Sequence, residues 1–258
     1  KYSLAEASAQ AAYDKAVTNQ GSTTERMNWA EVLGDVEVGR GRLERATARY
    51  EEAARICSSQ ESHMYPIMLL KAGQIHFEQR QLEAALAMGR RITSPWAAGL
   101  RGVAYLLLKN EEAAEKEFAG LRASATPVLG DYMAGKIVEF HRLLAASYAG
   151  RSQEVIAGWP QLPGQLWHLY ALEVGRAYLE AGNLSEAERH LRFAIKVQRF
   201  WGNPGMFYSP YSSDFFTATL AQFYLGKLLE QSGKRPEAVN AYQEFLGRFE
   251  SSAAELPQ

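Results

Sequence analysis

The chain has 258 residues, of which 47% are apolar and 22% charged, and its 28 basic and 29 acidic residues leave a formal net charge of −1. This balance disfavours a dedicated nucleic-acid binder, because phosphate recognition needs an excess of clustered Lys and Arg. The longest strongly apolar stretch, Val103–Leu108, is far shorter than the ~20 residues that a spanning helix needs. We therefore expect a soluble protein without nucleic-acid binding or membrane insertion.

Cys57 is the single cysteine. An intrachain disulfide and a cysteine-based metal site are therefore both excluded, which fits a reducing compartment. We expect a cytoplasmic location on this ground, and a periplasmic one stays open. Because the sequence starts at Lys1 and no charged-then-apolar leader follows it, we also expect a segment of a longer protein or a processed product.

Prolines divide the chain into segments whose composition favours helix. These segments are rich in Ala, Leu, Glu, Arg, Gln and Lys, and apolar positions recur three and four residues apart. Period-two alternation and tight hairpin turns are absent, so we expect no β-strands. In chain order, the predicted helices span residues 3–19, 23–38, 42–58, 64–79, 81–91, 95–108, 110–122, 128–149, 151–158, 164–181, 184–199, 213–232 and 235–249.

A glycine precedes an alanine by twelve residues in several predicted helix pairs. The pairs are Gly34/Ala46, Gly73/Ala85, Gly102/Ala114, Gly175/Ala187 and Gly226/Ala238. A turn lies inside each pair, and a bulky residue usually follows four positions after the alanine, at Tyr50, Phe118, Leu191 and Tyr242. We predict that the small residue admits the second helix of a hairpin and that the bulky residue fills the space between the two helices.

These residues resemble the tetratricopeptide repeat, most clearly in Leu172–Ala194, Leu225–Phe245 and Leu33–Ala53. The copies around Gly73, Gly102 and Ala145 are degenerate. The run Ala241–Leu246 looks like the last repeat of tetratricopeptide regions attached to bacterial serine/threonine kinases and related signalling proteins. The resemblance implies an all-α fold, a right-handed α-solenoid of antiparallel helical hairpins.

The resemblance also predicts one domain over residues 1–258. Its parts are a truncated first repeat at 1–20, helical hairpins at 22–60, 64–93, 95–125, 127–160, 164–200 and 212–250, and an aromatic-rich insertion at 201–211. Because one hairpin buries too little apolar surface to stand alone, we expect successive hairpins to stack. Leucine in place of Gly175 or Gly226 should overpack its hairpin and cost roughly 1–3 kcal/mol or more.

The sequence carries no signature of catalysis. The five histidines lack a metal-ligand spacing, and paired carboxylates such as Glu111/Glu112 are interpreted as solvated faces beside Lys and Arg. Nucleophile-elbow and glycine-rich phosphate motifs are also absent. We therefore expect no enzyme and no cofactor. A helical-repeat enzyme with a site assembled from distant residues and a helical-repeat RNA binder are the alternatives.

In solenoids of this kind, partners usually bind the concave surface that the first helix of each hairpin forms. Residues beside the small residue and one turn before it should point inward. The predicted peptide-binding groove contains Lys71, Gln74, Phe77, Trp96, Arg142, Arg176, Tyr224 and Lys227. Its four cations favour a protein or peptide partner with an acidic segment. We expect alanine at all four to weaken binding and to change thermal stability little; the partner's identity and the oligomeric state stay open.

The insertion at 201–211 interrupts the repeat spacing and concentrates aromatic residues around two prolines. Such residues predict either packing between hairpins or a lid beside the groove. The candidate lid residues are Trp201, Phe207, Tyr208 and Tyr211. We expect Trp201 and Phe215 to be buried and the other three lid residues to be partly exposed. The predicted function is a non-catalytic binding scaffold, an interaction or regulatory region of a larger signalling protein.

Overall fold

The computed structural model describes residues 2–57, 64–92, 97–164, 167–197 and 214–247. Within these ranges the chain is helical and contains no strand, which confirms the predicted all-α class. The helices are α1 (Tyr2–Thr18), α2 (Thr23–Gly39), α3 (Leu43–Ile56), α4 (Met64–Glu78), α5 (Leu82–Arg90), α6 (Ala97–Leu107), α7 (Glu111–Tyr148), α8 (Ser152–Gly158), the 3-10 helix η1 (Trp159–Gln161), α9 (Trp167–Glu180), α10 (Leu184–Val197), α11 (Asp214–Gln231) and α12 (Arg235–Leu246).

Several sequence predictions lie outside the described residues. The groove residue Trp96 and the candidate lid residues Trp201, Phe207, Tyr208 and Tyr211 are among them. The side chain of Phe215 is also not described. These predictions stay predictions. Among the described helices, none combines the length and the apolar character that a membrane span requires.

One turn geometry recurs between paired helices. The turn residue has a positive φ, and the amide of the following residue donates to the carbonyl five positions earlier, as from Arg42 to Glu37 at 2.9 Å and from Asn183 to Tyr178 at 2.9 Å. The turn residues are Gly41, Arg80, Lys109, Gly150, Gly182 and Gly233. This hydrogen bond closes a helix end in the manner of a Schellman motif. Glycine is favoured there because it has no Cβ, and Arg80 and Lys109 adopt the same backbone conformation at some cost.

Each helix packs against the next along the whole order from α1 to α12. Helices two elements apart also touch, since α4 contacts α6, α7 contacts α9, and α9 contacts α11. In addition, α11 contacts α2, so the last helix pair meets an early one. Buried apolar residues form one large cluster that extends from Met27 to Phe245 and a smaller one around Val155 and Val174. One apolar cluster therefore includes residues of most helices from α2 to α12.

Glycine allows the close approach of the paired helices. A Cβ placed on Gly34 would lie 2.5 Å from Cε1 of Tyr50, and one placed on Gly226 would lie 2.6 Å from the ring of Tyr242. Real Cβ atoms essentially never come this close to another heavy atom. Gly102 meets Phe118 and Gly175 meets Leu191 in the same way. These contacts confirm the predicted glycine and bulky-residue pairs.

The pair around Gly73 departs from this pattern. The atom nearest to a Cβ on Gly73 would be Cδ2 of Leu100, at 2.9 Å, and Leu100 belongs to the next helix pair. The reason is visible in the sequence, because the fourth residue after Ala85 is Gly89 and no bulky side chain is available there. A residue of α6 therefore fills the space that the repeat pattern assigns to α5.

The prediction of two separate helices at 110–122 and 128–149 is confirmed in number, but the boundary between them lies at a different residue. Helix α7 is continuous through Pro127, and its backbone breaks at Gly130, where φ is 80° and ψ is 157°. Non-glycine residues are essentially never found in that conformation. Arg122 and Asp131 pair across the break at 2.9 Å. The predicted boundary between the hairpins at 95–125 and 127–160 therefore falls at Gly130, because glycine rather than proline turns the chain.

The glycine contacts predict opposite effects for two alanine substitutions. In Gly226→Ala, the new methyl group clashes with Tyr242, and we expect a loss of about 1–3 kcal/mol in the free energy of unfolding. Gly120 is a matched control, because it is helical and exposed and has no atom within 4 Å of a Cβ. Gly120→Ala should stabilise the protein by about 0.5–1 kcal/mol. Urea unfolding followed by circular dichroism measures both, and equal effects would contradict the packing role of Gly226.

Candidate functional site

The structure distributes the predicted groove residues over separate places. Lys71 lies between α4 and α2, and Arg142 lies beside the first half of α7. Arg176, Tyr224 and Lys227 come together where α9 meets α11. The last three residues are therefore neighbours, and a single surface that contains all of the predicted groove residues stays a prediction.

Lys71 forms ion pairs with two carboxylates of α2. Its ammonium group donates to Glu31 at 2.7 Å and to Asp35 at 3.1 Å, and the residue is only 9% exposed. Tyr50 donates its hydroxyl to Asp35 at 2.6 Å, and its ring lies under the Lys71 ammonium at 5.3 Å. Burial opposes the charge of Lys71, but the two carboxylates outweigh this effect and raise its pKa. Removing this side chain would take the ion pair from the buried Glu31 carboxylate, whereas Asp35 would keep the hydrogen bond from Tyr50. We therefore expect alanine at position 71 to lower the stability.

Three further residues of the predicted groove, Arg142, Phe77 and Gln74, contact or border other side chains of the chain. Arg142 pairs with Glu115 at 2.6 Å and lies 5.1 Å above the ring of Phe118. Phe77 is buried and stacks on Tyr148 with 5.9 Å between ring centroids. Gln74 is half-buried beside it and borders a space of about 20 Å³. A space of that size holds about one water molecule.

A buried polar cluster lies where α4, α7, α9 and α11 meet. We call Glu78, Tyr148, Glu173, Arg176 and Tyr224 the inner polar cluster. Arg176 pairs with Glu173 at 3.4 Å and lies 5.0 Å above the ring of Tyr224. Tyr148 donates its hydroxyl to Glu78. The cluster thus links four helices through side chains that are far apart in the sequence.

Two further residues hold the inner polar cluster in place. Ser147 donates its hydroxyl to Glu173 at 2.5 Å. Arg80 donates to the backbone carbonyl of Tyr148 at 2.5 Å, and its guanidinium lies 5.5 Å from the centroid of the Tyr148 ring. Arg80 is the turn residue after α4. Arg80 therefore has two roles: it adopts the positive φ of the turn, and its side chain binds the last residue of α7.

The inner polar cluster contains two carboxyl groups, of Glu78 and Glu173, but only one guanidinium, of Arg176. Burial and the repulsion of Glu173 raise the pKa of Glu78 to about 7, although the hydrogen bond from Tyr148 and the charges of Arg176 and Arg80 act in the opposite direction. Burial disfavours the charge of Arg176, but Glu173 and other nearby anions raise its pKa. Burial and the repulsion between the two carboxylates therefore favour the protonated form of Glu78. Because Glu78 and Glu173 are 4% and 5% exposed, this proton is shielded from solvent and the cluster is suited to holding helices together.

The groove surface remains accessible at Lys227. This residue is exposed, and its ammonium lies 5.7 Å from the ring centroid of Phe223 and 5.8 Å from that of Tyr224. In the part of the chain that the structure describes, no carboxylate lies within ion-pair distance of Lys227. We call Phe223, Tyr224 and Lys227 the lysine–aromatic patch. It combines an unpaired cation with two half-buried rings, which is the chemistry that recognises a carboxylate beside apolar groups.

Sequence reasoning missed Glu78, Glu173 and Tyr148. A signal exists for Glu173, because a single carboxylate stands between the apolar residues Leu172 and Val174. Of the described histidines, His141 and His190 are buried and His76 is half-buried. Over the described ranges, no group of three His, Cys, Asp or Glu side chains is close enough to hold a metal ion.

Comparison with known proteins adds no assignment. A scan against models of protein families finds no match, and a search of curated proteins finds no similar sequence. The resemblance to tetratricopeptide repeats therefore stays a prediction that rests on the residues of this chain.

The inner polar cluster predicts an unusual pH dependence of stability. Because the pKa of Glu78 is raised in the folded state, unfolding releases a proton between about pH 4.5 and pH 7, and the contribution of Glu78 to stability decreases as the pH rises through that window. Glu78→Gln removes this titration. We expect the variant to gain on the order of 2 kcal/mol relative to wild type between pH 5 and pH 8. Urea unfolding at several pH values measures the difference.

Glu112→Gln is the control for this experiment, because Glu112 is exposed at the start of α7. Its stability should follow the wild-type pH profile. A constant difference between Glu78→Gln and wild type over the whole range would show that Glu78 does not titrate in this window.

Proposed function

We propose that this chain is a non-catalytic protein- or peptide-binding scaffold built as a right-handed α-solenoid of tetratricopeptide-like hairpins. Three observations support this architecture: the unbroken packing of successive helices, the recurrent turn geometry, and the glycine contacts inside the pairs. Repeated helix pairs present an extended surface and suit binding better than catalysis. We further propose that the scaffold is an interaction or regulatory region of a larger signalling protein.

The lysine–aromatic patch is the observation that carries the binding proposal. Lys71, Arg142 and Arg176 are paired with carboxylates of the chain itself. Lys227 is exposed, and its ammonium lies within 5.8 Å of two ring centroids. A partner carboxylate would therefore meet an ammonium group that no described ion pair occupies. Apolar atoms beside that carboxylate would pack on the rings, which are residue types enriched at binding hot spots.

The rings of the patch are held in place before any partner binds. Phe223 contacts Phe245 of α12 with 5.2 Å between centroids, and it also lies 6.1 Å from Tyr242. Tyr224 is fixed from the other side by Arg176, whose guanidinium is part of the inner polar cluster. Side chains that are already ordered lose little entropy on binding. Arg176 thus supports the patch through Tyr224, which belongs to both the inner polar cluster and the patch.

The test is a charge reversal at the patch. A fluorescein-labelled peptide of repeating Glu-Leu-Glu-Tyr units is titrated with the protein, and anisotropy reports binding. We expect salt-sensitive binding that Lys227→Glu weakens by about tenfold or more. The same peptide with Gln in place of Glu should bind the wild type as weakly as the acidic peptide binds the variant.

Lys116→Glu is the matched control, because Lys116 is an exposed helical lysine on α7 with no ion pair in the described chain. It makes the same change of net charge and should leave binding within about twofold of wild type. Equal losses for Lys116→Glu and Lys227→Glu would mean that net charge alone attracts the peptide. That result, or no binding by the wild type, would contradict the proposed patch.

A further inference from the structure

Helix α7 is much longer than the helices beside it. It has 38 residues, whereas α6 and α8, which precede and follow it in the chain and pack against it, have 11 and 7. Residues 122–124 and 127–132, which surround the break at Gly130, are exposed, and a Cβ placed on Gly120 or Gly130 would meet no atom within 4 Å. We call residues 119–135 the α7 tip. It extends beyond the helices that pack against the rest of α7.

The α7 tip exposes three large apolar side chains that lie close together in the sequence. Val128 is 74% exposed, Leu129 is 41% exposed and Tyr132 is 68% exposed. The other exposed large apolar residues of the described chain are distributed over α1, α2, α10 and α12. Among the described residues, none forms a hydrogen bond or a ring contact with Tyr132. Single apolar residues are ordinary on a protein surface, whereas a group of them marks an interaction site.

The α7 tip is held in one shape by its own side chains. Arg122 donates to both carboxylate oxygens of Asp131 at 2.9 Å, and the pair bridges the two halves of α7 across the break. Thr126 donates its hydroxyl to the backbone carbonyl of Arg122 at 2.8 Å. A bidentate pair of this kind fixes geometry as well as charge. The exposed apolar side chains therefore stand on a preformed surface, which loses little entropy when it binds.

The charges of the α7 tip allow it to meet a second copy of itself. Arg122 and Asp131 are the only charged residues between positions 119 and 135, so the tip has no net charge. In an interface with two-fold symmetry, one patch must be complementary to itself. A neutral apolar patch with one exposed cation and one exposed anion meets this condition. A strongly charged partner gains little here, because the two charges of the tip already pair with each other.

The area of the α7 tip decides how strongly two copies can associate. A standard interface buries about 800 Å² on each partner, and three partly exposed apolar side chains supply less than this. The exposed residues at 119–124 other than Arg122 are Ala, Gly and Ser, so a second helix can lie close to the backbone there. Two tips that overlap along their helices form an interface at the lower end of the size range. Such an interface is typical of weak, reversible association.

We propose that the α7 tip is the contact surface of a reversible homodimer. Two copies meet tip to tip about a two-fold axis, and Val128, Leu129 and Tyr132 of one copy pack on the same side chains of the other. Arg122 of each copy then lies near Asp131 of the other. None of these residues belongs to the lysine–aromatic patch, so the dimer carries two such patches. Dimerisation does not depend on the proposed peptide binding, and either can hold without the other.

Sedimentation velocity on the whole chain tests the apolar contact. We expect a monomer–dimer equilibrium between about 1 µM and about 1 mM, the range of weak affinities. The double variant Val128→Ser, Tyr132→Ser should weaken self-association by about tenfold or more, because it removes the apolar centre of the interface. The double variant Val17→Ser, Val239→Ser is the control. It changes exposed valines on α1 and α12 and should associate like the wild type.

A mixing experiment tests whether the two tips face each other. Arg122→Glu gives the tip two anions and Asp131→Arg gives it two cations, so each variant alone should self-associate about tenfold more weakly than the wild type. An equimolar mixture should associate at least as strongly as the wild type, because the two tips then attract each other. The intrachain pair is lost equally in the separate and the mixed samples. The mixture therefore isolates the contact between copies.

The control for net charge uses an exposed ion pair of α8. Arg151→Glu and Glu154→Arg make the same changes of charge away from the α7 tip. Their mixture should associate no more strongly than the wild type. An equal gain in this mixture and in the mixture of tip variants would show that net charge alone drives association, and it would overturn the proposed contact.

Three further results would overturn the proposal. The first is a wild type that stays monomeric over the whole concentration range. The second is a dimer that Val128→Ser, Tyr132→Ser leaves unchanged, which would place the interface elsewhere. The third is a monomeric wild type that sediments with neutral phosphatidylcholine vesicles and loses this binding in the same double variant, which would assign the tip to a lipid surface. Both substituted side chains are exposed, and circular dichroism verifies that the variant keeps its helices.

Discussion

The close contact between a glycine on one helix and a large side chain on the next sets the geometry of the helix pairs. At Gly34, Gly102, Gly175 and Gly226, the facing side chain occupies the volume that any Cβ would need. The backbones approach closely because of this contact, and interiors are packed too densely to absorb an added methyl group without strain. The recurrent turn then reverses the chain direction between the two helices of each pair, with the same hydrogen bond each time. Stacking of successive pairs follows, since one pair buries too little surface alone.

Charges and aromatic rings link several first helices of the pairs, in addition to the buried apolar cluster. Lys71 joins α4 to α2, and the inner polar cluster joins α4, α7, α9 and α11. A buried ion pair adds little net stability, but breaking one is costly, because an unpaired buried charge remains. These residues therefore fix which helices meet. The same pairing occupies three of the four cations that the sequence assigns to a groove, and Lys227 has no carboxylate partner among the described residues.

Local patterns in the sequence predicted the local features of the fold well. The helices follow the three-and-four periodicity, and four of the glycine contacts have the predicted partners. Long-range pairing was not predictable in this way. Lys71 and Glu31 are 40 residues apart, and Tyr148 and Glu78 are 70 apart, so no spacing rule connects them. The spacing of the repeat predicts that Arg176 points inward. It does not predict whether a carboxylate of the same chain lies close enough to pair with Arg176. The break at Gly130 was missed because Pro127 is the stronger local signal.

A double-mutant cycle at Gly102 and Phe118 tests the central claim most directly. Gly102→Ala, Phe118→Leu and the combined variant are compared with the wild type by urea unfolding. The account predicts that alanine at position 102 is costly beside the Phe118 ring and nearly harmless once leucine has replaced it, with a coupling free energy of about 1–2 kcal/mol. Strictly additive losses would contradict it, because they would show that the glycine is not required by the ring that it faces.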